Sequence, residues 1–335
     1  MSLLVTFACA LGAAAIVGGL TLRLVRAKAL AVPNERSLHS LPRTRLGGVV
    51  VSAGIIVGLV ASGVSRPIAG ILAAVVIAGV AGFLEDVRGL SIEARLMMQF
   101  AAAGVAAATI LADDVAVGLI ALVLVWIVVF VNEFNFMDGI DGLAAFHLAI
   151  VGVSWLIIGG IEDSTLVQAL GATALASSLG FMPFNFPRAR MFMGDLGTYA
   201  AGAFLAASAV VAINLGIHPV AVIAPLTVLI FDASWTLLLR IRRRENILRA
   251  HRSHLYQQLV LAGWSHVRTA LFVSASSVVV AGAGLISLAG GRHAILAVVL
   301  VCGGLLGYGS VSVWCIARGR SRGADSIRRS NLAVR

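Results

Sequence analysis

Only fifteen Asp and Glu occur among 335 residues, so their positions carry information. The sharpest string runs from Asn132 to Gly142 and reads NEFNFMDGIDG, with Asn132, Asn135, Asp138 and Asp141 recurring every three residues. On a helix such residues neighbour one another along one surface. Gly139 and Gly142 let a backbone or a ligand come close. Carboxylates suit a hard divalent cation, and amides suit phosphate, ribose or base oxygens. The chemistry implied is the handling of a phosphate–Mg²⁺ assembly. A helix cap followed by a turn uses the same residue types, but it does not require the regular spacing.

Four further strings add to this. Asn185, Arg188, Arg190 and Asp195 fall in one short segment between apolar runs. A guanidinium forks two phosphate oxygens, and Asp195 is a candidate metal ligand; the plainer alternative is a basic loop leading into a helix start. Glu85 and Asp86 are adjacent, with Arg95 nine residues beyond. Neighbouring carboxylates repel unless a cation or a proton relieves them, so one of them is read as a metal ligand or as acceptor of a phosphate's proton. A solvated loop pair is the rival. His251, Arg252 and His254 precede Tyr256 and Gln257. Zinc would need more soft ligands than these, whereas a phosphate held by His and Arg fits; a basic loop on anionic lipid is the alternative. Arg36 and Arg45 lie in a turn-rich stretch before an apolar run, suited to gripping a lipid phosphate or to ordinary interfacial anchoring.

The elements that must position these residues are membrane helices. The chain is 60% hydrophobic and 12% charged, against about 25% charged in soluble domains. Apolar runs of roughly 17–20 residues are long enough to cross a hydrocarbon core of about 30 Å. The expected architecture is all-α and polytopic, a single membrane-embedded domain over 1–335 with no soluble domain. Eleven spans are expected near 2–22, 47–63, 67–83, 96–112, 115–131, 143–160, 165–182, 198–214, 218–238, 269–288 and 293–314; ten is the other count the punctuation allows. The three cysteines, Cys9, Cys302 and Cys315, have no ligand spacing and read as small apolar residues.

Charge orients the spans. With eleven spans and the N-terminus outside, 23 of the 25 Lys and Arg fall on the inner side, leaving only Arg66 and Arg292 outside. Basic loops stay in the cytoplasm, so the C-terminus, with its Arg-rich tail from 318 to 335, is also expected there. The net charge of +10 is therefore a membrane-topology signal and not a nucleic-acid one. The same threading puts Glu85, Asp86, Asn132, Asn135, Asp138, Asp141, Asp195 and His254 on one face, with Asp232 near the inner end of the ninth span.

The chain resembles the polyprenyl-phosphate HexNAc-1-phosphate transferases, membrane glycosyltransferase family 4. Four motifs carry the likeness in order across roughly 33–260: PNERSLHSLPRTRLGG, the acidic pair with LSIEARLMMQ, NEFNFMDGIDGLA and NFPRARMFMGDLG. The resemblance implies that Asp195 binds Mg²⁺, with Mn²⁺ as a substitute. It implies that Glu85 and Asp86 are the family's acidic pair, handling the lipid phosphate or its proton. Arg95 falls on a basic position of the family, and His254 on a histidine of its last cytoplasmic motif. Asn132, Asn135, Asp138 and Asp141 match the motif near nucleotide and metal. Two departures stand out: Glu85 where the family often has Asp, and HRSHLYQ where a richer histidine motif is usual. That last form resembles the O-antigen branch whose donors carry N-acetylfucosamine or N-acetylquinovosamine phosphate.

The resemblance implies transfer of a sugar phosphate from a UDP-HexNAc to polyprenyl phosphate in a bacterial inner membrane, with the active site on the cytoplasmic face and membrane lipids as surroundings. The sequence is compatible with a homo-oligomer without specifying one. A secondary transporter, a CDP-alcohol phosphotransferase and a non-enzymatic export scaffold are the rival classes. The first would place acids at the bilayer midplane. The second would continue Asp138-Gly139 differently.

Overall fold

Apolar runs without internal charge leave the backbone one economical way to satisfy its polar groups in hydrocarbon, the α-helix. The computed structural model describes residues 2–25, 46–112, 115–246 and 252–333. These form thirteen α-helices and two short 3₁₀ turns. They are α1 (Leu3–Val25), α2 (Gly47–Ala61), α3 (Arg66–Arg88), α4 (Ile92–Ile110), α5 (Val117–Phe136), α6 (Leu143–Ile161), α7 (Thr165–Asn185), α8 (Gly194–Asn214), α9 (Pro219–Ile223), α10 (Thr227–Arg242), α11 (Leu255–Leu261), α12 (His266–Leu285) and α13 (Arg292–Ala333). Ala224–Leu226 joins α9 to α10, and Ile286–Ala289 extends α12.

Every one of the eleven expected segments contains helix, but among the described residues nine helices are long and apolar enough to span a membrane. By length and composition α2 and α4 fall short of that measure, yet Asp86 and Asp138 meet at one helix start, so α4 and α5 together return the chain to the same end of the bundle. Helix α2 has 15 residues, a length of about 22 Å at 1.5 Å per residue, which is less than the hydrocarbon thickness. Helix α4 has 19 residues but carries Glu93, Arg95 and Gln99 in its first half. The chain is a polytopic membrane protein. Arg36, Arg45 and His251 lie outside the described residues.

Helix α8 is the axis of the bundle. It packs against α2, α3, α4, α5 and α7, and from Gly197 to Ala212 every residue is buried. Its sequence is mostly Ala, Gly and other small residues, which let backbones approach where lipid supplies no hydrophobic drive between helices. Helix α3 comes so near that a Cβ at Gly82 would collide with the Asp195 carbonyl in the first turn of α8. Outside this centre, α6 pairs with α7, α1 with α2 and α7, and α12 with α6 and α13. The candidate residues sit at helix ends, so this packing sets how they meet.

Candidate active site

The N-terminus of α8 organises the site. A helix start leaves unpaired N–H groups and a partial positive charge. Here they are met by carboxylates from elsewhere. Leu196 N–H donates to Asp86 Oδ2 at 3.0 Å, and the Gly194 N–H donates to the Asp138 carboxylate. Asp195 stands in the same first turn. Asn135 Nδ2 donates to Asp195 Oδ1 and to Thr198 Oγ1, each at 2.8 Å. Asp86, Asn135, Asp138 and Asp195, from three separate segments, therefore share one small volume.

Crowded carboxylates resist ionisation together. Burial, and then the neighbouring charges of Asp195, Asp86 and Asp141, hold the Asp138 carboxyl well above the usual carboxylate range. A divalent cation relieves such crowding. Among the described residues no three His, Cys, Asp or Glu side chains form a cage for a metal. Mg²⁺ does not demand one, since it is usually held by one or two carboxylates with water and substrate phosphates completing the shell. The donors at the tip of α8 are hard oxygens, and they fit that requirement.

The remaining residues divide into those that meet this centre and those that support it. Glu85 accepts Leu90 N–H on Oε2 at 2.6 Å and Arg95 Nη1 on Oε1 at 3.2 Å. Both of its oxygens are thus engaged in closing the α3–α4 turn, and Arg95 also reaches Tyr199. Asn132 pairs with Gln99, donating to Gln99 Oε1 at 2.6 Å. Asn185 is buried; its Oδ1 accepts Gly142 N–H at 2.9 Å and its Nδ2 donates to Met191 O at 3.0 Å. It ties the turn that carries Asp141 to the loop that leads into α8. Gly142 itself has φ +85°, a conformation that glycine adopts at little cost.

The three-residue spacing is helical over only half its length. Helix α5 ends at Phe136 with Met137 as its C-cap, so Asn132 and Asn135 are helical while Asp138 and Asp141 lie on the following turn. Asp138 faces α8, and Asp141 Oδ2 accepts Ala189 N–H at 3.1 Å. Arg188 is exposed on the adjoining loop. Arg190 is exposed as well, donating to Pro183 O at 2.8 Å and lying over the Phe184 ring.

Two contacts involve residues to which the motif reading gave no role. His266, at the start of α12, has Nδ1 3.6 Å from Asp141 Oδ1. Its signal in the sequence was only a histidine at a helix start beyond the recognised motifs. Tyr256 donates from its hydroxyl to Phe136 O at 2.8 Å, joining α11 to the end of α5. His254 is buried, with its ring 5.9 Å from that of Phe136. Arg252 lies just before it, its carbonyl accepting Gln258 Nε2 at 2.6 Å.

Among the described residues, a many-pass helical bundle thus brings three carboxylates and an amide together at the start of one helix, hard donors of the kind that hold a divalent cation beside phosphates. Residues 68–213 match the model of glycosyl transferase family 4. Over 310 residues the chain is 30% identical to a decaprenyl-phosphate N-acetylglucosaminephosphotransferase of Mycobacterium leprae, covering 78% of this chain and 76% of that one. Over 260 residues it is 28% identical to a probable undecaprenyl-phosphate N-acetylglucosaminyl 1-phosphate transferase of Bacillus subtilis, covering 72% of each. A shorter stretch of 161 residues is 35% identical to a phospho-N-acetylmuramoyl-pentapeptide-transferase of Streptococcus pyogenes, covering 42% of this chain and 48% of the relative. The chain belongs to glycosyl transferase family 4. It is an enzyme, a polyprenyl-phosphate sugar-1-phosphate transferase. That assignment decides against the transporter, CDP-alcohol and scaffold alternatives.

Proposed function

We propose that this transferase moves a HexNAc-type sugar 1-phosphate from a UDP-sugar to undecaprenyl phosphate, on the cytoplasmic face of a bacterial plasma membrane, as the first step of O-antigen or a related envelope glycan. The observation that carries the proposal is the meeting of Asp86, Asn135, Asp138 and Asp195 at the start of α8. An oxygen of the lipid phosphate attacks the β-phosphorus of the UDP-sugar. A P–O bond forms there, the bond to the bridging oxygen breaks, and UMP leaves with that oxygen. The product is a polyprenyl-diphosphate sugar.

Both substrates are anions, so the site must offset their repulsion. Asp195 and Asp138 would hold the family's Mg²⁺, which when bound neutralises the diphosphate and the charge growing on UMP. Arg188 is exposed on the loop whose Ala189 N–H meets Asp141, and is available there to fork phosphate oxygens. Of the acidic pair, Asp86 is the better placed to accept a proton from the lipid phosphate, because it reaches the start of α8 beside Asp138 while Glu85 closes the α3–α4 turn. Asn132 and Asn185 position the loops. Asp141, with His266 beside it, faces the nucleotide side, and Arg252 and His254 complete the wall. The HRSHLYQ form supports a donor of the N-acetylfucosamine or N-acetylquinovosamine type, whereas the relatives from Mycobacterium and Bacillus are named for N-acetylglucosamine.

The test is direct. Membranes holding the protein are mixed with undecaprenyl phosphate, Mg²⁺ and each of a panel of UDP-HexNAc sugars, and UMP is measured. UMP release that needs both lipid and metal is expected with at least one donor, and that donor names the branch. No such release across the panel overturns the proposal.

A further inference from the structure

Asp232, Thr236 and Arg240 recur every four residues along α10 and share one face of that helix. All three are buried. Each reaches the segment that leads from α10 to α11. Arg240 donates from Nε to Glu245 Oε2 at 3.0 Å and from Nη2 to Asn246 O at 2.6 Å. Thr236 Oγ1 lies 3.4 Å from Ser253 O. Asp232 gathers the most. Its Oδ1 accepts Leu255 N–H at 2.8 Å, and its Oδ2 accepts Tyr256 N–H at 3.1 Å and the Tyr308 hydroxyl at 2.6 Å. His254 Nδ1 stands 3.4 Å from Oδ1.

A carboxylate with no exposure to water is costly unless several donors surround it. Here the donors come from α11 and α13, and they meet a helix start as well. The geometry fixes the turn from His254 to Tyr256 in one place. Beyond it, Tyr256 donates to Phe136 O at 2.8 Å. A Cβ at Gly139 would strike the Tyr256 hydroxyl, so Tyr256 also lies against the turn that carries Asp138. A continuous chain of contacts thus runs from Asp232 through Tyr256 to the acidic centre.

We propose that Asp232 is a positioning residue of the transfer reaction: it presents His254 to the substrate and, through Tyr256, sets the Asp138 turn. It touches no reacting atom. Asp232, Tyr256 and Tyr308 lie beyond residue 213, where the match to the family model ends. The inference rests on the reading that His254 meets substrate.

The experiment uses the full-length protein in detergent with the UDP-HexNAc that gives the fastest UMP release. Asp232→Asn keeps the side-chain size but turns an NH₂ toward donors. It is expected to lower kcat by about 10²-fold, the effect of misplacing a reacting group by about 1 Å, and to raise KM for the nucleotide sugar severalfold. Loss of folded enzyme alone cannot move KM. In a His254→Ala background, Asp232→Asn should then cost less than it does alone, because the part of its effect that runs through His254 is already lost. Tyr308→Phe, the milder variant, should shift KM in the same direction and serves if Asp232→Asn does not fold. An unchanged KM, or losses that multiply in full in the double variant, overturns the proposal. His254→Ala with wild-type turnover removes the reading beneath it as well. An inactive His254→Ala beside a normal Asp232→Asn removes only the role given to Asp232.

Discussion

Asp195→Asn keeps the shape that Asn135 recognises and takes away the charge, so it separates chemistry from folding at a single atom. Turnover is expected to fall by at least about 10²–10³-fold, the range seen when one group stabilising developing charge is lost, with the thermal midpoint held; near-normal UMP release would remove Asp195 from the metal site. Glu85→Gln should behave differently. The amide can still accept Leu90 N–H and loses only the partly buried ion pair with Arg95, a change on the order of 1 kcal/mol. Its kcat is expected to stay within about tenfold of wild type, and a total loss would restore Glu85 as a reacting group. Which residues would cluster was legible in the sequence, because scarce acids and amides at apolar boundaries have few other uses. Which of them reach the centre and which brace it was not. Glu85 and Asp86 are adjacent in sequence, yet one closes a turn and the other caps a helix over a hundred residues away. His266 gave no motif signal at all, since its partner Asp141 is brought to it only by packing.

Helices α3 and α8 touch where Gly82 faces the Asp195 carbonyl, so a methyl group there should act on the whole element. Gly82→Ala is expected to destabilise by about 1–3 kcal/mol, as overpacking does, and to raise the Mg²⁺ concentration needed for half-maximal rate as the first turn of α8 shifts. Melting and a Mg²⁺ titration measure both; a wild-type result in each would mean that the two helices have room to separate. The existence and order of the helices followed from the length and order of the apolar runs. Their reach did not follow in every case. Helix α2 reads as a span by composition but is only 15 residues long, because its neighbours α1, α7 and α8 supply burial that a lone helix would need lipid to provide. Likewise the regular spacing from Asn132 to Asp141 promised one helical stripe, and the helix ends halfway because Gly139 and Gly142 favour a turn and each residue finds a different partner.

The whole molecule assembles the centre at the tip of α8 from segments spread from residue 86 to residue 266. Reporter fusions near 90, 139, 190 and 245 should therefore all report the same side of the membrane, expected to be the cytoplasmic one; any one on the opposite side would break the site as described. Chelation should stop UMP release from intact protein, and added Mg²⁺ should restore it without refolding. The residues matched by the family model, 68–213, contain every carboxylate at the tip of α8. Arg252, His254, Tyr256 and His266 enter from beyond that stretch. The molecule thus divides into a reaction engine at the tip of α8 and a cover that closes over it from the C-terminal part. Swapping the part after α9 between two relatives that use different donors should move sugar preference with the cover while leaving metal dependence behind, so new donor specificities can arise without disturbing a single acid of the engine.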